Sequence, residues 1–217
     1  MTQTFRNRAD AGRQLAGALV KRWPELAAPD RPATPLVLGL PRGGVVVAAE
    51  VARRLEAPLD ALIVRKIGYP PEPEMAIGAI GPDGKAFLQP YVGRLHLTED
   101  MIEGAVARTR AEWEARNSLM RGGRLAPAVA GAVVVLVDDG IATGATAMAA
   151  LSWLRESGAA RVILAVPVGP EQAPETFAGM ADDLLCLVTP QDFYAVGQVY
   201  QEFAQVSDAE VLRLLNR

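Results

Sequence analysis

Short apolar runs alternate with longer amphipathic segments along this chain of 217 residues. The runs are rich in Val, Ile and Leu and are too short for ordinary helices, so they predict strands buried on both faces, as in a parallel sheet. The predicted strands cover residues 36–40, 59–64, 133–137, 161–168 and 184–188. Strands that alternate with helices in this order predict an α/β fold, a three-layer sandwich with a mostly parallel central sheet.

The intervals between the apolar runs place apolar residues at helical spacing and predict helices. Thr98 is a suitable N-cap for a helix that runs to about Arg121 and stops at Gly122-Gly123. The alternation of Arg and Glu along this helix predicts a solvated outer face. Residues 207–210 form a capping-box pattern at the start of a last helix. The other predicted helices cover residues 8–26, a segment that begins after the turn at 41–44, residues 144–158 and residues 170–180.

Two stretches depart from this alternation. Residues 68–84 are rich in Pro and Gly around an apolar core at 75–80, which predicts a long loop with a β piece. Asp83-Gly84 is predicted to form a hairpin turn that leads to residues 86–88. Residues 189–200 are aromatic and irregular. We expect residues 1–217 to form a single domain, since this length is sufficient for one substantial core.

The composition restricts the partners and the compartment. A formal net charge of −3 and the absence of a Lys/Arg run argue against nucleic acid as a partner. The longest apolar stretch is shorter than the roughly 18 residues of a membrane span, and the polar N-terminus lacks a signal-peptide core, so we expect a cytoplasmic protein without a membrane segment. Cys186, the single cysteine, is predicted to be an inert core thiol, and His96, the single histidine, to lie on the surface or in a loop.

The strongest candidate for chemistry follows the predicted strand at 133–137. Two adjacent acids, Asp138 and Asp139, come first, and a loop of small residues then opens a helix. In such a loop the backbone N–H groups can converge on an anion at the positive end of the helix. The spacing differs from that of a nucleoside-triphosphate loop and no lysine is present, so a phosphate monoester is the better fit. The predicted phosphate-binding residues are Ala142, Thr143, Gly144, Ala145 and Thr146.

Two carboxylates beside a phosphate require a hydrogen-bond donor between them and the anion. Ribose 5-phosphate meets this requirement, because its 2′- and 3′-hydroxyls can donate to Asp138 and Asp139 while its phosphate accepts from the loop. A generic strand–turn–helix crossover with two solvated aspartates is the alternative.

Residues 134–146 resemble the signature of type I phosphoribosyltransferases: a hydrophobic strand, two acids, three variable residues and Thr-Gly-x-Thr before a helix. The resemblance extends over nearly the whole chain. It implies transfer of the 5-phosphoribosyl group from 5-phosphoribosyl 1-diphosphate to a nitrogenous base or related small-molecule acceptor, with release of pyrophosphate. It also implies Mg²⁺ as a cofactor, bound by Asp138 and Asp139 directly or through water. A homodimer is left open, and many relatives have a flexible loop at about 68–85.

Basic residues near two predicted strand ends are the candidates for binding the diphosphate. The first strand–helix turn is the pyrophosphate loop in the family, where Gly43 and Gly44 would permit close backbone approach and Arg42 would contact phosphate oxygens. Arg65 and Lys66 follow the second predicted strand, at the edge where open α/β sheets bind ligands. The resemblance implies that Arg42 and Lys66 neutralise the leaving pyrophosphate. A plain turn and a pair of solvated surface charges are the alternatives.

In purine-using relatives a C-terminal hood places an aromatic ring on the acceptor base just before a Val-Gly pair. Residues 193–197 look like that part of a hood at about 189–217, so Phe193 and Tyr194 are candidate acceptor-binding residues. The alternative is a small aromatic core that holds the hood in place. For the whole chain, the alternative function is a non-catalytic regulator that senses the same diphosphate, since some relatives control transcription.

Overall fold

A computed structural model describes residues 4–121 and 125–216 of the chain. The strands in these residues are β1 Leu36–Gly39, β2 Leu59–Ala61, β3 Arg65–Tyr69, β4 Glu72–Ile80, β5 Ala86–Leu88, β6 Val133–Val137, β7 Arg161–Val168 and β8 Asp183–Val188. The helices are α1 Arg8–Arg22, α2 Gly43–Leu55, α3 Glu99–Arg121, α4 Ala145–Glu156, α5 Ala173–Thr176 and α6 Asp208–Leu215. Short 3₁₀ turns cover Pro24–Leu26, Pro90–Arg94 and Val196–Val199.

The central sheet contains β2, β1, β6, β7 and β8 in that order, and every neighbouring pair is parallel. This sheet confirms the predicted α/β fold. β1 and β6 are neighbours, with Gly39 beside Val137, although they are far apart along the chain. Because the two strands are parallel, their carboxyl ends meet at one edge of the sheet. The turn after β1 therefore lies next to the two acids that follow β6.

Alternate positions along the central strands face the two helical layers. Val37 and Val135 are buried on the face that packs against α1 and α2. Leu38 and Leu136 are buried on the opposite face, together with the apolar residues of α4. This period of two explains why the strands are apolar without interruption: each successive side chain meets a different helical layer.

A second, antiparallel sheet contains β3, β4 and β5. The prediction of one strand over residues 59–64 is wrong at its end, because β2 stops at Ala61 and β3 begins at Arg65. The prediction of a long loop over residues 68–84 is also wrong in extent, since β4 occupies more than half of it. The physical reason is a continuous apolar face, in which Ile67 and Ile77 are buried in the same cluster as residues of α3. The predicted turn at Asp83-Gly84 is confirmed, with Gly84 at a φ of +77°.

Two helices begin where the sequence predicts, and a third is shorter than predicted. Thr98 Oγ1 accepts a hydrogen bond from the Met101 N–H at 3.3 Å, and Ser207 Oγ accepts from the Glu210 N–H at 3.2 Å, which confirms both predicted caps. The predicted helix over residues 170–180 is wrong in length, because only Ala173–Thr176 is helical. The predicted stop of α3 at Gly122-Gly123 lies outside the described residues.

The predicted solvated face of α3 is interrupted by Arg121, whose side chain is only 2% exposed. Its guanidinium donates to the Asp60 carboxylate, with Nη2 and Oδ2 2.7 Å apart, and to the carbonyl oxygen of Ala61 at 2.9 Å. These bonds attach the end of α3 to β2 of the central sheet. A buried guanidinium requires such a counter-charge, because leaving it unpaired would be strongly unfavourable.

We expect Asp60→Asn to lower the free energy of unfolding by about 2 kcal/mol, because the amide leaves the buried Arg121 guanidinium without its counter-charge. Urea unfolding followed by circular dichroism measures this change. Arg13→Gln is the control, since Arg13 forms an exposed pair with Asp10 on α1, and such pairs contribute at most about 1 kcal/mol. Equal stability of Asp60→Asn and the wild type would contradict the assigned role of this ion pair.

Candidate functional site

A cleft of about 550 Å³ opens at the carboxyl edge of the central sheet, where the small antiparallel sheet and α3 meet it. A smaller cleft of about 180 Å³ also contacts the loop at 142–146, and Thr143, Ala145 and Thr146 line both clefts. The residues that line the larger cleft are Pro41, Arg42, Leu62, Ile63, Val64, Arg65, Lys66, Glu112, Arg116, Thr143, Ala145 and Thr146. The smaller cleft is lined by Asp138, by residues 140–147 and by Val196.

The loop at 142–146 has the predicted geometry of an anion cradle. Gly144 is the N-cap of α4 and has a φ of +76°, a conformation that other residues rarely adopt. No side chain caps this end of the helix, so the N–H groups of the first turn are left to another acceptor. Thr143 and Thr146 are exposed beside it. The positive end of α4 therefore faces both clefts with N–H and hydroxyl donors.

The two acids predicted to act together point in different directions. Asp138 lines the smaller cleft, and its Oδ1 accepts a hydrogen bond from the Asp139 N–H at 2.8 Å. The Asp139 carboxylate instead accepts from Arg8 Nε at 2.7 Å and lines neither cleft. The Asp139 carbonyl oxygen accepts from the Tyr200 hydroxyl at 2.6 Å. Of the predicted pair, only Asp138 lines one of these two clefts, while Asp139 joins the sheet edge to α1 and the C-terminal segment.

The Asp138 carboxyl lies in an environment that opposes its ionisation. Burial raises its pKa well above the usual range, and the charge of Asp139 raises this pKa further, while Arg8 acts in the opposite direction. An added hydrogen-bond donor or cation would therefore favour the charged form. Asp138 is suited to a ligand that brings hydroxyl donors or a metal ion to the cleft.

The turn after β1 comes very close to these acids. A Cβ on Gly43 would lie 1.9 Å from Asp139 Oδ2, and a Cβ on Gly44 would lie 2.8 Å from Asp138 Cα. Both distances are too short for any side chain, so only glycine fits at these two positions. The expected close approach of this backbone to a ligand stays a prediction. The peptide bond between Pro41 and Arg42 in this turn is cis. Arg42 follows that bond and lines the larger cleft.

Arg65 and Lys66 also line the larger cleft, although not for the predicted reason. They belong to β3 of the small sheet, whereas they were predicted to follow a strand of the central sheet. Arg65 forms an ion pair with Glu112 of α3. The structure thus brings Arg42, Arg65 and Lys66 together as a basic wall of the cleft, which Thr143 and Thr146 of the loop also line.

Sequence reasoning missed Arg8 and Arg116. Arg8 lies in the predicted helix over residues 8–26, and nothing in the sequence links it to Asp139, which lies 131 positions away. Arg116 lies on α3 within the alternation of Arg and Glu that predicted a solvated face, yet it lines the larger cleft. The position of α3 against the small sheet distinguishes Arg116 from Arg108, the exposed arginine of the same helix.

Neither predicted aromatic ring of the hood lines the larger or the smaller cleft. Tyr194 is 85% exposed, and Phe193 packs against the cluster that contains Val199. For Phe193 the structure matches the alternative of a small aromatic core. Val196 lines the smaller cleft instead. Gln198 holds this turn, since its Oε1 accepts from the Tyr194 N–H at 2.8 Å.

The single cysteine and the single histidine lie outside both clefts. Burial raises the pKa of the Cys186 thiol to about 11, which agrees with the predicted inert thiol. His96 is exposed in a loop. In the part of the chain that the structure describes, no helix combines the length and hydropathy that a membrane span requires.

Comparisons with known proteins agree with this architecture. Residues 28–201 match the sequence profile of the phosphoribosyl transferase domain. A Mycobacterium tuberculosis (strain H37Rv) protein named "Putative phosphoribosyl transferase" is 48% identical over 214 residues, which are 98% of this chain and 46% of that protein. The chain therefore spans less than half the length of the curated relatives it matches. The crystal structure of TT1426 from Thermus thermophilus has 45% identity and a TM-score of 0.88 over 98% of each chain.

The domain match begins before β1 and ends just after the hood turn, so it includes both acids, the loop at 142–146 and the basic wall. The likeness to TT1426 extends over the same elements and supports the fold independently. The chain belongs to the phosphoribosyl transferase domain family.

Proposed function

We propose that this protein transfers the 5-phosphoribosyl group from 5-phosphoribosyl 1-diphosphate to a nitrogenous base or related acceptor and releases pyrophosphate, with Mg²⁺ as cofactor. The observation that supports this most directly is the shared wall of the larger cleft. Thr143 and Thr146 at the positive end of α4 line it together with Arg42 and Lys66. Such a cleft offers donors for a phosphate monoester at one end and cations for a diphosphate at the other.

The reaction breaks the bond between the anomeric carbon and the diphosphate oxygen and forms a bond from that carbon to the acceptor nitrogen, which gives up a proton. Positive charge develops on the sugar and negative charge on the leaving group. Arg42 and Lys66 would stabilise that negative charge, a role that their position in the lining of the larger cleft supports. Asp138 lines the smaller cleft beside the same loop, and there it would accept hydrogen bonds from the ribose hydroxyls and help to orient the sugar.

The residues present fit a magnesium ion that arrives with the substrate. No group of three or more potential ligand side chains occurs among residues 4–121 and 125–216, and Asp139 is engaged by Arg8. Mg²⁺ commonly binds through one or two carboxylates together with phosphate oxygens and water, and Asp138 supplies such a carboxylate. When bound, the ion would offset the charge of the diphosphate.

Binding and turnover should be measured separately. Calorimetry with 5-phosphoribosyl 1-diphosphate and Mg²⁺ tests the binding step, and a panel of bases assayed for pyrophosphate release tests transfer. Tight binding with release for at least one base supports the proposal. Tight binding without release for any base would instead favour the diphosphate-sensing regulator, and absence of binding would refute both.

For Lys66→Ala we expect pyrophosphate release to fall by about tenfold to a hundredfold, since one charge-assisted contact to the leaving group is lost. Binding of ribose 5-phosphate should stay within twofold of the wild type, because that ligand lacks the diphosphate. Lys85→Ala is the matched control, as Lys85 is exposed and does not line the cleft. Equal losses for pyrophosphate release and ribose 5-phosphate binding would point to a structural role for Lys66.

A further inference from the structure

Two arginines of the larger cleft converge on one carboxylate oxygen of the last helix. Arg42, at the start of α2, and Arg116, on α3, both approach Asp208 Oδ1, with their guanidinium nitrogens at 3.8 Å and 3.7 Å. Asp208 is the first residue of α6. Three helices that are distant in sequence therefore meet at one ion-pair cluster on the cleft wall.

The cluster is electrostatic, with no hydrogen bond between its members. Asp208 Oδ1 is buried and accepts no hydrogen bond from residues 4–121 or 125–216, since the nitrogens of both arginines lie more than 3.5 Å away. The arginine side chains are each 30% exposed, and both line the cleft. Asp208 thus keeps the two guanidinium groups at the wall without forming with them the short, bidentate contacts that arginine makes with phosphate.

We propose that Arg116 is a further diphosphate-binding residue and that Asp208 is the positioning residue that holds Arg116 beside Arg42. The inference rests on the proposed function, because it assigns a residue to the diphosphate end of the same cleft. A phosphate oxygen entering between the two guanidinium groups can accept hydrogen bonds that Asp208 does not. The guanidinium groups of Arg42, at the start of α2, and of Arg116, on α3, would then bind the diphosphate together.

The position of Asp208 is determined by the packing of α6. Val211 and Leu215 are buried in the same cluster as Trp113 and Met120 of α3. This apolar contact holds the start of α6 against the cleft wall. Without the carboxylate, the two like-charged guanidinium groups would repel each other and separate towards solvent.

The test for Arg116 compares two probes, inorganic pyrophosphate and ribose 5-phosphate, each with Mg²⁺, by calorimetry on the full chain. Arg116→Gln should weaken pyrophosphate binding by about tenfold or more, because charge-assisted hydrogen bonds are lost. Its affinity for ribose 5-phosphate should stay within twofold of the wild type. Arg108→Gln is the control, since it removes the same charge from an exposed site on the same helix. Arg116→Gln with wild-type pyrophosphate affinity would overturn the inference.

The test for Asp208 uses Asp208→Asn with Glu210→Gln as its control. Both remove one negative charge from the first turn of α6, but only Asp208 contacts the two arginines. Asp208→Asn should weaken pyrophosphate binding by less than Arg116→Gln does, and Glu210→Gln should leave it unchanged. Unchanged or tighter binding by Asp208→Asn would overturn the positioning role.

Binding of the two probes by the wild type distinguishes a failure of this inference from a failure of the proposed function. A wild type that binds ribose 5-phosphate and pyrophosphate, with an Arg116→Gln variant that binds both equally well, would overturn only the role of Arg116. A wild type that binds neither probe would overturn the proposed function and this inference together.

Discussion

Asp138→Asn is expected to weaken the binding of 5-phosphoribosyl 1-diphosphate by about a hundredfold or more, because two charge-assisted hydrogen bonds to the ribose hydroxyls would be lost or weakened. The variant should keep its shape. The Asn amide oxygen can still accept from the Asp139 N–H, as Asp138 Oδ1 does at 2.8 Å. Calorimetry with Mg²⁺ measures the change in affinity, and a folded variant with wild-type affinity would remove Asp138 from the ligand site.

The same substitution should make the free energy of unfolding less sensitive to a rise in pH. Burial, and then the charge of Asp139, raise the pKa of Asp138 in the folded protein above its value in the unfolded chain. The folded state therefore holds this proton more tightly, and its stability declines as the pH rises through the raised pKa. Asn has no such proton, so Asp138→Asn should lose less stability over that range.

Urea unfolding at a series of pH values tests this second part. Asp30→Asn, at an exposed loop position, is the matched control and should follow the wild-type curve. A variant whose stability declines with pH as steeply as the wild type would show that Asp138 does not oppose its own ionisation. Loss of binding together with reduced pH sensitivity would show that the folded protein tolerates an unfavourable group at this place in order to bind ligand.

The predictions that hold depend on neighbouring residues along the chain. β6, Gly144 and the start of α4 occur within one continuous stretch, in which strand preference, a positive φ and a helix end are set locally. Parallel pairing then brings the turn after β1 to this stretch, because buried parallel strands align their carboxyl ends. The uncapped start of α4 and its position near the turn after β1 therefore follow from the local sequence and from parallel pairing, whereas anion binding by the loop stays a prediction.

The features that the sequence does not reveal depend on contacts between distant segments. Asp138 and Asp139 are adjacent and chemically identical, and the sequence does not indicate that Arg8 on α1 binds Asp139 while Asp138 lines a cleft. Arg116 differs from other arginines of α3 only through the packing of that helix against the small sheet. Its partner Asp208 was predicted as part of a capping pattern, and that local role gives no indication of the cluster with the two arginines.

Gly43→Ala is expected to lower the free energy of unfolding by about 2–4 kcal/mol, through overpacking and through loss of a mostly buried ion pair. The new Cβ would lie 1.9 Å from Asp139 Oδ2 and 2.7 Å from Arg8 Nε, and those two atoms are bonded to each other at 2.7 Å. The carboxylate cannot move aside without leaving Arg8. Gly17→Ala is the matched control, because its Cβ would meet nothing within 4 Å, and it should stabilise α1 by about 0.5–1 kcal/mol.

A double-mutant cycle identifies the cause of the loss. In an Arg8→Gln background the Asp139 carboxylate is no longer held, so adding Gly43→Ala should cost clearly less than it does in the wild type. Urea unfolding of the four proteins gives the coupling energy. Full additivity would show that the clash is relieved by movement of the turn itself. A neutral surface substitution changes the free energy of unfolding by up to about 0.5 kcal/mol. A change no larger than this for Gly43→Ala would show that the close approach is not required.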